Sequence, residues 1–244
     1  MTIPIFSKRA YIRWENDKQF NEPTSTWVLT APNGEFVDTR VHKEIETKHW
    51  FTTGFEEIIE TNEGYDHSIN FVLTLDNLTK WGNSPGSDVG NFKSITESDW
   101  NNNLKCHFSA KDIASFKLTH YRLEEGYMAN ADFQGKIQNY QEIWDTLDAN
   151  QSRPDSLKPF DEKTKNKVKC EVFKIFDKTK NELGRFITVG KFGMGVAVNA
   201  KGEYNAIRVF EGKPIFMYGE NCKDLFDFFI NGLSSVEWKL TYCN

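Results

Sequence analysis

Asp38 and Arg40 stand two positions apart in the run Phe36-Val37-Asp38-Thr39-Arg40-Val41-His42, where residue type and spacing come nearest to chemistry. On a strand successive side chains point to opposite faces, so Phe36, Asp38, Arg40 and His42 share one face while Val37, Thr39 and Val41 occupy the other. An arginine so placed can hold a ligand carboxylate in its planar fork, with the aspartate fixing the guanidinium. The same pair can instead complete an internal polar network, because charges that leave water are kept where they are paired, or belong to an exposed strand face. Phe36, Asp38, Arg40 and His42 are therefore the candidate ligand-binding residues, with both readings open.

Other constellations carry less. His42, His49, His67, His107 and His120 form no HxH, HxxxH or HExxH spacing, so neither a metal nor a cofactor is expected. Cys106 and His107 are adjacent, and on a strand they would face opposite ways, which excludes a nucleophile–base pair. Gly190-Lys191-Phe192-Gly193-Met194-Gly195 lacks the Gly-Lys-Ser/Thr ending and following helix of a phosphate-binding loop and reads as a turn with glycine kinks in a curved sheet. No acid–base or nucleophile pair can be placed, and a non-enzymatic protein is expected. Ser84 and Ser87 have the spacing of a primed casein-kinase-1 site and are candidate phosphorylation positions, or equally serines of an unmodified polar loop.

The elements that must position these residues read as strands. Trp27–Thr30, the turn Ala31-Pro32-Asn33-Gly34 and Phe36–Lys43 make a hairpin pattern. Further strands are expected at Ile69–Leu75, Ser115–Leu123, Val168–Phe176, Arg185–Val189, Met194–Asn199, Ala206–Phe210 and Ile215–Tyr218. A last one is expected over Val236–Tyr242, with Val236, Trp238, Leu240 and Tyr242 inward. Tyr140–Leu147 and Cys222–Asn231 have helical spacing, the second ending at Asn231-Gly232. Trp81–Asn103 reads as a long polar surface excursion. Short strands at this spacing indicate antiparallel sheets that close into barrels. The Pro- and charge-rich segment 148–167 reads as a linker between a unit at 1–147 and a smaller one at 168–244.

Composition narrows the class. The 244 residues carry 30 basic and 35 acidic side chains with no concentrated basic face, which argues against a general nucleic-acid binder. Alternating Lys163, Lys165, Lys167 and Lys169 read as a solvated edge or loop, with an anionic partner site as the alternative. No apolar stretch reaches the ~20 residues that span a bilayer, and Met1–Arg9 is not a secretory signal. Cys106, Cys170, Cys222 and Cys243 form no CxxC pair and read as free thiols of a cytosolic protein, which makes the sequons at Asn77 and Asn150 chance matches. Twenty Phe, eight Tyr and seven Trp can fill a barrel or line an apolar pocket within it.

Several segments together resemble one fungal family: Arg9–Trp14, Pro23–Arg40, Glu125–Asn130, Tyr140–Trp144 and Arg185–Val196 are similar to the Hri-type proteins, interactors of a casein-kinase-1-type kinase. The resemblance implies two tandem calycin-like, lipocalin-related β-barrels with one or two short helices, a cytoplasmic protein that can also be nuclear, and no catalytic set. Two functions follow as expectations. One is a protein-interaction module for a kinase of that type. The other is a carrier of a small apolar or amphipathic ligand in the N-terminal barrel, with Arg40 near its polar end.

Overall fold

The computed structural model describes residues 3–78, 88–160, 168–233 and 235–244. Eight antiparallel strands form the N-terminal unit: β1 Ile5–Trp14, β2 Thr24–Thr30, β3 Glu35–His42, β4 Trp50–Ile59, β5 His67–Asp76, β6 Asp88–Ser94, β7 Tyr121–Asn130 and β8 Lys136–Leu147. Each pairs with the next, and β1 pairs with both β2 and β8, so the sheet closes into a barrel. The expected β2–β3 hairpin is present, with Trp27 opposite Thr39 and Gly34 at φ +85°, the left-handed region that favours glycine.

The second unit is a six-stranded sheet in the order β13-β12-β11-β10-β9-β14, built from β9 Cys170–Phe176, β10 Glu182–Val189, β11 Phe192–Val198, β12 Tyr204–Phe210, β13 Lys213–Tyr218 and β14 Lys239–Cys243. It is open, which corrects the expectation of a second closed barrel. The reason lies in its two faces. Ile187, Met194 and Val196 pack with Trp27, Leu29, Val37 and Phe51 on the outer wall of the barrel. Phe186, Ala197 and Ile207 pack beneath Leu225 and Phe226 of the helix Cys222–Asn231. With each face covered by another element, the sheet buries its apolar surface without curling on itself. A Cβ on Gly195 would lie 2.4 Å from the Phe226 ring, so this glycine of β11 makes room for the helix.

Buried arginines pin the two units together. Arg208 of β12 crosses to the barrel wall, donating to Thr39 Oγ1 (2.8 Å) and Ser25 Oγ (2.9 Å), with its guanidinium 4.5 Å from the Trp27 ring centroid. Arg185 of β10 is fully buried, holds Glu182 through two 2.8 Å bonds and donates to the Gly54 carbonyl. In the segment expected as a linker, Ala149 and Ser152 are buried and the Asp148 N–H donates to the Lys158 carbonyl at 2.9 Å; residues 161–167 lie outside the described residues.

Other expectations are corrected. Tyr140–Leu147 is not helical but the end of β8. A barrel strand is buried on both faces, so Tyr140 and Trp144 point inward while Ile143 packs outside, and apolar residues fall at both parities in imitation of a helical repeat. Within Trp81–Asn103, residues 88–94 are strand β6, and helical turns follow over Glu97–His107. Trp100 and Leu104 there pack with Phe108 against the outside of β7 and β8. Within Ser115–Leu123 a helix ends at Ser115, a helical turn spans Leu118–His120, and β7 starts only at Tyr121. In β14 a register shift between Leu240 and Tyr242 breaks the alternation, leaving Leu240 exposed while Trp238 packs under the helix.

Candidate functional site

Strand β3 delivers Phe36, Asp38 and Arg40 into the barrel, and the outer residues Val37 and Thr39 face the second sheet. Arg40 Nε donates to Asp38 Oδ2 at 2.8 Å, its Nη1 lies 3.6 Å from Glu142, and its guanidinium stands 4.3 Å from the Trp50 ring centroid. Trp50 is the residue opposite Arg40 on β4. Glu142 is also held by Arg9, which binds Glu22 at 2.8 Å and Thr24 Oγ1 at 3.0 Å. Burial alone would lower the Arg9 pKa; Glu142 and Glu22 outweigh it, and the net shift is upward.

A second group sits beside this one. Tyr140 Oη lies 2.8 Å from Glu124 Oε1 and 3.0 Å from Asp88 Oδ1. One hydroxyl supplies one proton, so both contacts are hydrogen bonds only when at least one carboxyl is protonated and donates to the phenol oxygen. The electrostatics agree: burial pushes Asp88 up to about 7, raises Glu124 well above the carboxylate range, and raises Asp38 despite Arg40. Gly90 and Gly126 are direct cross-strand partners, and a Cβ on them would fall 2.3 Å from Glu124 Oε1 and 2.6 Å from Tyr140 Oη respectively. The paired glycines are the hollow in the wall that admits these two side chains.

Below the Arg40–Trp50 pair lies an internal cavity of about 90 Å³. Asp38, Asp88 and Glu124 contribute to its mouthward end, Phe71, Ile69 and Phe92 to its flank, and Arg122, Trp144 and Glu56 to its far end. Above the pair a basin of about 590 Å³ opens at the barrel mouth, edged by Trp14, His42, Lys48 and Phe133. Arg40 and Trp50 line both spaces and form the partition between them.

The family model described as Protein HRI1 matches residues 5–226, which is most of the chain. The chain belongs to the HRI1 family. Among solved structures, this HRI1 family member is similar to the crystal structure of the uncharacterized protein YLR301w from Saccharomyces cerevisiae, with a TM-score of 0.70 at 17% identity over 99% of each chain. At that identity the likeness speaks for the shared fold. No curated protein matches the chain.

Of the residues singled out from the sequence, Phe36, Asp38 and Arg40 meet in the cavity of this HRI1 family member. His42 does not: it edges the mouth basin, where its Nδ1 accepts from the backbone N–H groups of Glu44 (3.2 Å) and Ile45 (3.0 Å). Ser84 and Ser87 lie outside the described residues, as do Lys163, Lys165 and Lys167. Cys106 and His107 stand on a helical turn rather than a strand, and each is engaged separately, His107 Nδ1 with the Lys18 carbonyl at 3.0 Å. Among the described residues no three His, Cys, Asp or Glu side chains gather as a metal site, and no helix is long and apolar enough to cross a membrane. Arg9, Trp50, Asp88, Arg122, Glu124, Tyr140, Glu142 and Trp144 complete the site without having been singled out. Arg9 and Glu142 are 133 positions apart, and only barrel closure joins them.

Proposed function

We propose that this HRI1 family protein is a non-enzymatic binding protein whose barrel takes a small ligand from the mouth basin into the inner cavity. The observation that carries this reading is that the two spaces share one partition, the side chains of Arg40 and Trp50. The cavity volume matches about three waters at ~30 Å³ each, which favours a compact ligand over a lipid chain. Arg40 is already occupied by Asp38 and Glu142, so the expected role of anchoring a ligand carboxylate gives way to that of a gatepost. Methyl NMR under xenon pressure tests the reading. Saturable shifts of the Ile69 and Leu73 methyls, abolished by Ile69→Trp, support it; silent methyls refute it.

A protein partner is the second reading, favoured by Tyr127, Phe133 and Ile137, which leave large apolar surfaces exposed along the β7–β8 hairpin. Titration with a purified casein-kinase-1-type catalytic domain tests it. Binding lost on replacing all three by serine supports a kinase contact there, and no binding by the parent chain removes it.

A further inference from the structure

The cavity has chemical polarity that the binding-barrel reading does not by itself supply. Three buried polar atoms on side chains that line it lack hydrogen-bond partners among the described residues: Asp38 Oδ1, Trp144 Nε1 and Arg122 Nε. Asp38 and Trp144 are each only 5% exposed. A buried polar atom left unpaired costs about 1–3 kcal/mol, so three around one void mark a place where an occupant supplies the missing bonds.

Their signs differ along the cavity; Glu56, a carboxyl at the donor end, accepts from Thr30 Oγ1 at 2.8 Å and is raised to about 7 by burial, which favours its neutral form. Asp38 Oδ1 is an acceptor, and the neighbouring carboxyls of Asp88 and Glu124 face the same space. Its neighbour Arg40, which also lines this end, has its guanidinium committed to Asp38 Oδ2, Glu142 and Trp50. This end presents acceptors and an excess of acidic groups. Trp144 Nε1 and Arg122 Nε are donors, and the two residues are direct partners across β7 and β8. Arg122 spends its other nitrogens on Thr146 Oγ1 (3.1 Å) and Ser7 Oγ (2.9 Å), with no carboxylate bonded to it among the described ion pairs. Trp144 stands one inward step beyond Glu142, roughly 7 Å further from the mouth by strand rise. The flank between the ends is apolar, formed by Ile69, Phe71 and Phe92.

We infer that the cavity accepts a small zwitterion, a short amino acid whose ammonium group lies at Asp38 and whose carboxylate meets Trp144 Nε1 and Arg122 Nε. An ammonium supplies the donor that Asp38 Oδ1 lacks beside the carboxyls of Asp88 and Glu124, and a carboxylate supplies the acceptor for both orphaned N–H groups. Burial raises the pKa of Asp88 and Glu124 even with Arg40 nearby, favouring their protonated forms, and a bound ammonium would draw them toward ionisation. A simple carboxylate would meet the acidic end, and a simple amine would leave both donors unpaired. The inference rests on the binding-barrel reading.

A matched set of probes tests it: β-alanine, propylamine and propionate titrated into the full chain, followed by calorimetry and by the Trp144 indole N–H resonance. β-Alanine is expected to bind at least about tenfold more tightly than either single-headed probe, about 1.4 kcal/mol, and to shift the Trp144 indole signal. Asp38→Asn and Trp144→Phe should each weaken β-alanine about tenfold or more; Trp144→Phe keeps the test valid should Asp38→Asn fold poorly. Equal binding of propylamine or propionate overturns the inference, as does an indole signal unmoved by all three, which would mean that water alone fills the cavity. Xenon entering while β-alanine does not would sink the zwitterion and spare the binding barrel; failure of both probes would sink both.

Discussion

The guanidinium of Arg40 stands 4.3 Å from the ring centroid of Trp50, its direct cross-strand partner, and among the described residues these two side chains line both the inner cavity and the mouth basin. Trp50 is itself tied at the rim by a 2.9 Å bond from its indole N–H to Asp76 Oδ1. A cation over an aromatic face contributes about 0.5–2 kcal/mol, enough to hold the partition closed yet small enough to open. Trp50→Ala should merge the two spaces and speed probe exchange, seen as faster xenon-dependent line broadening at the Ile69 methyl. An unchanged exchange rate would mean that ligands enter elsewhere.

Arg40→Met strands Asp38 in the barrel. Removing one member of a buried ion pair costs about 3–5 kcal/mol, and urea denaturation should show a loss of that order. The double variant with Asp38→Asn should recover part of it, because the residues are coupled rather than additive.

How far the sequence foretold this site follows from its geometry. That Phe36, Asp38, Arg40 and His42 share one face of β3 was legible because the Asn33-Gly34 turn and strict alternation fix the register locally; that this face points inward was not. Nor were the partners. Arg9 and Glu142 meet only through the β1–β8 pairing that closes the barrel, and β1 shifts register between Arg9 and Tyr11, so its parity changes midway. Asp88 was hidden in a stretch whose asparagines and glycines read as loop, although 88–94 is a strand. The open second sheet was equally illegible: alternation shows that both faces are buried but not that a barrel wall covers one of them. The helix Cys222–Asn231, by contrast, ends as expected, with Gly232 at φ +74°.

Stability should depend on pH through the buried carboxyls. Burial raises Asp88 and Glu56 to about 7, above their values in the unfolded chain. A raised carboxyl contributes stability that is fully present below the unfolded pKa and lost as pH rises through the folded one. His49 and His67, lowered chiefly by burial, act in the opposite sense on the acid side, since their protonation favours the unfolded chain. The thermal midpoint should therefore fall between roughly pH 6.5 and 8. Asp88→Asn combined with Glu56→Gln should flatten that slope; an unaltered slope would place its origin elsewhere.

The seam between barrel and sheet offers a stability test of its own. Arg208 is bonded to neutral oxygens of Ser25 and Thr39 with no carboxylate ion-paired to it among the described residues, and burial pushes it down to about 9. Arg208→Met should cost about 2–4 kcal/mol from the lost charged hydrogen bonds and ring contact. Far-UV and tryptophan signals should show whether the two units then unfold separately; coincident curves near the parent midpoint would mean that the apolar seam suffices.

Thiol reactivity checks the burial pattern directly. Cys106 and Cys243 are exposed, whereas burial shields Cys170 and Cys222 and raises their thiols to about 12 and 11. A thiol reagent should modify the first pair rapidly and the second only after unfolding. Rapid modification of all the cysteines in the native protein would contradict the packing of β9 and the helix.

The most direct test of the binding barrel is a high-resolution crystal structure of the protein purified from its own cells without exchange of bound molecules. Ordered density in the cavity, within hydrogen-bond distance of Asp38 Oδ1 and Trp144 Nε1, is the predicted result. Side chains collapsed into that space, leaving no room below Arg40 and Trp50, would contradict it.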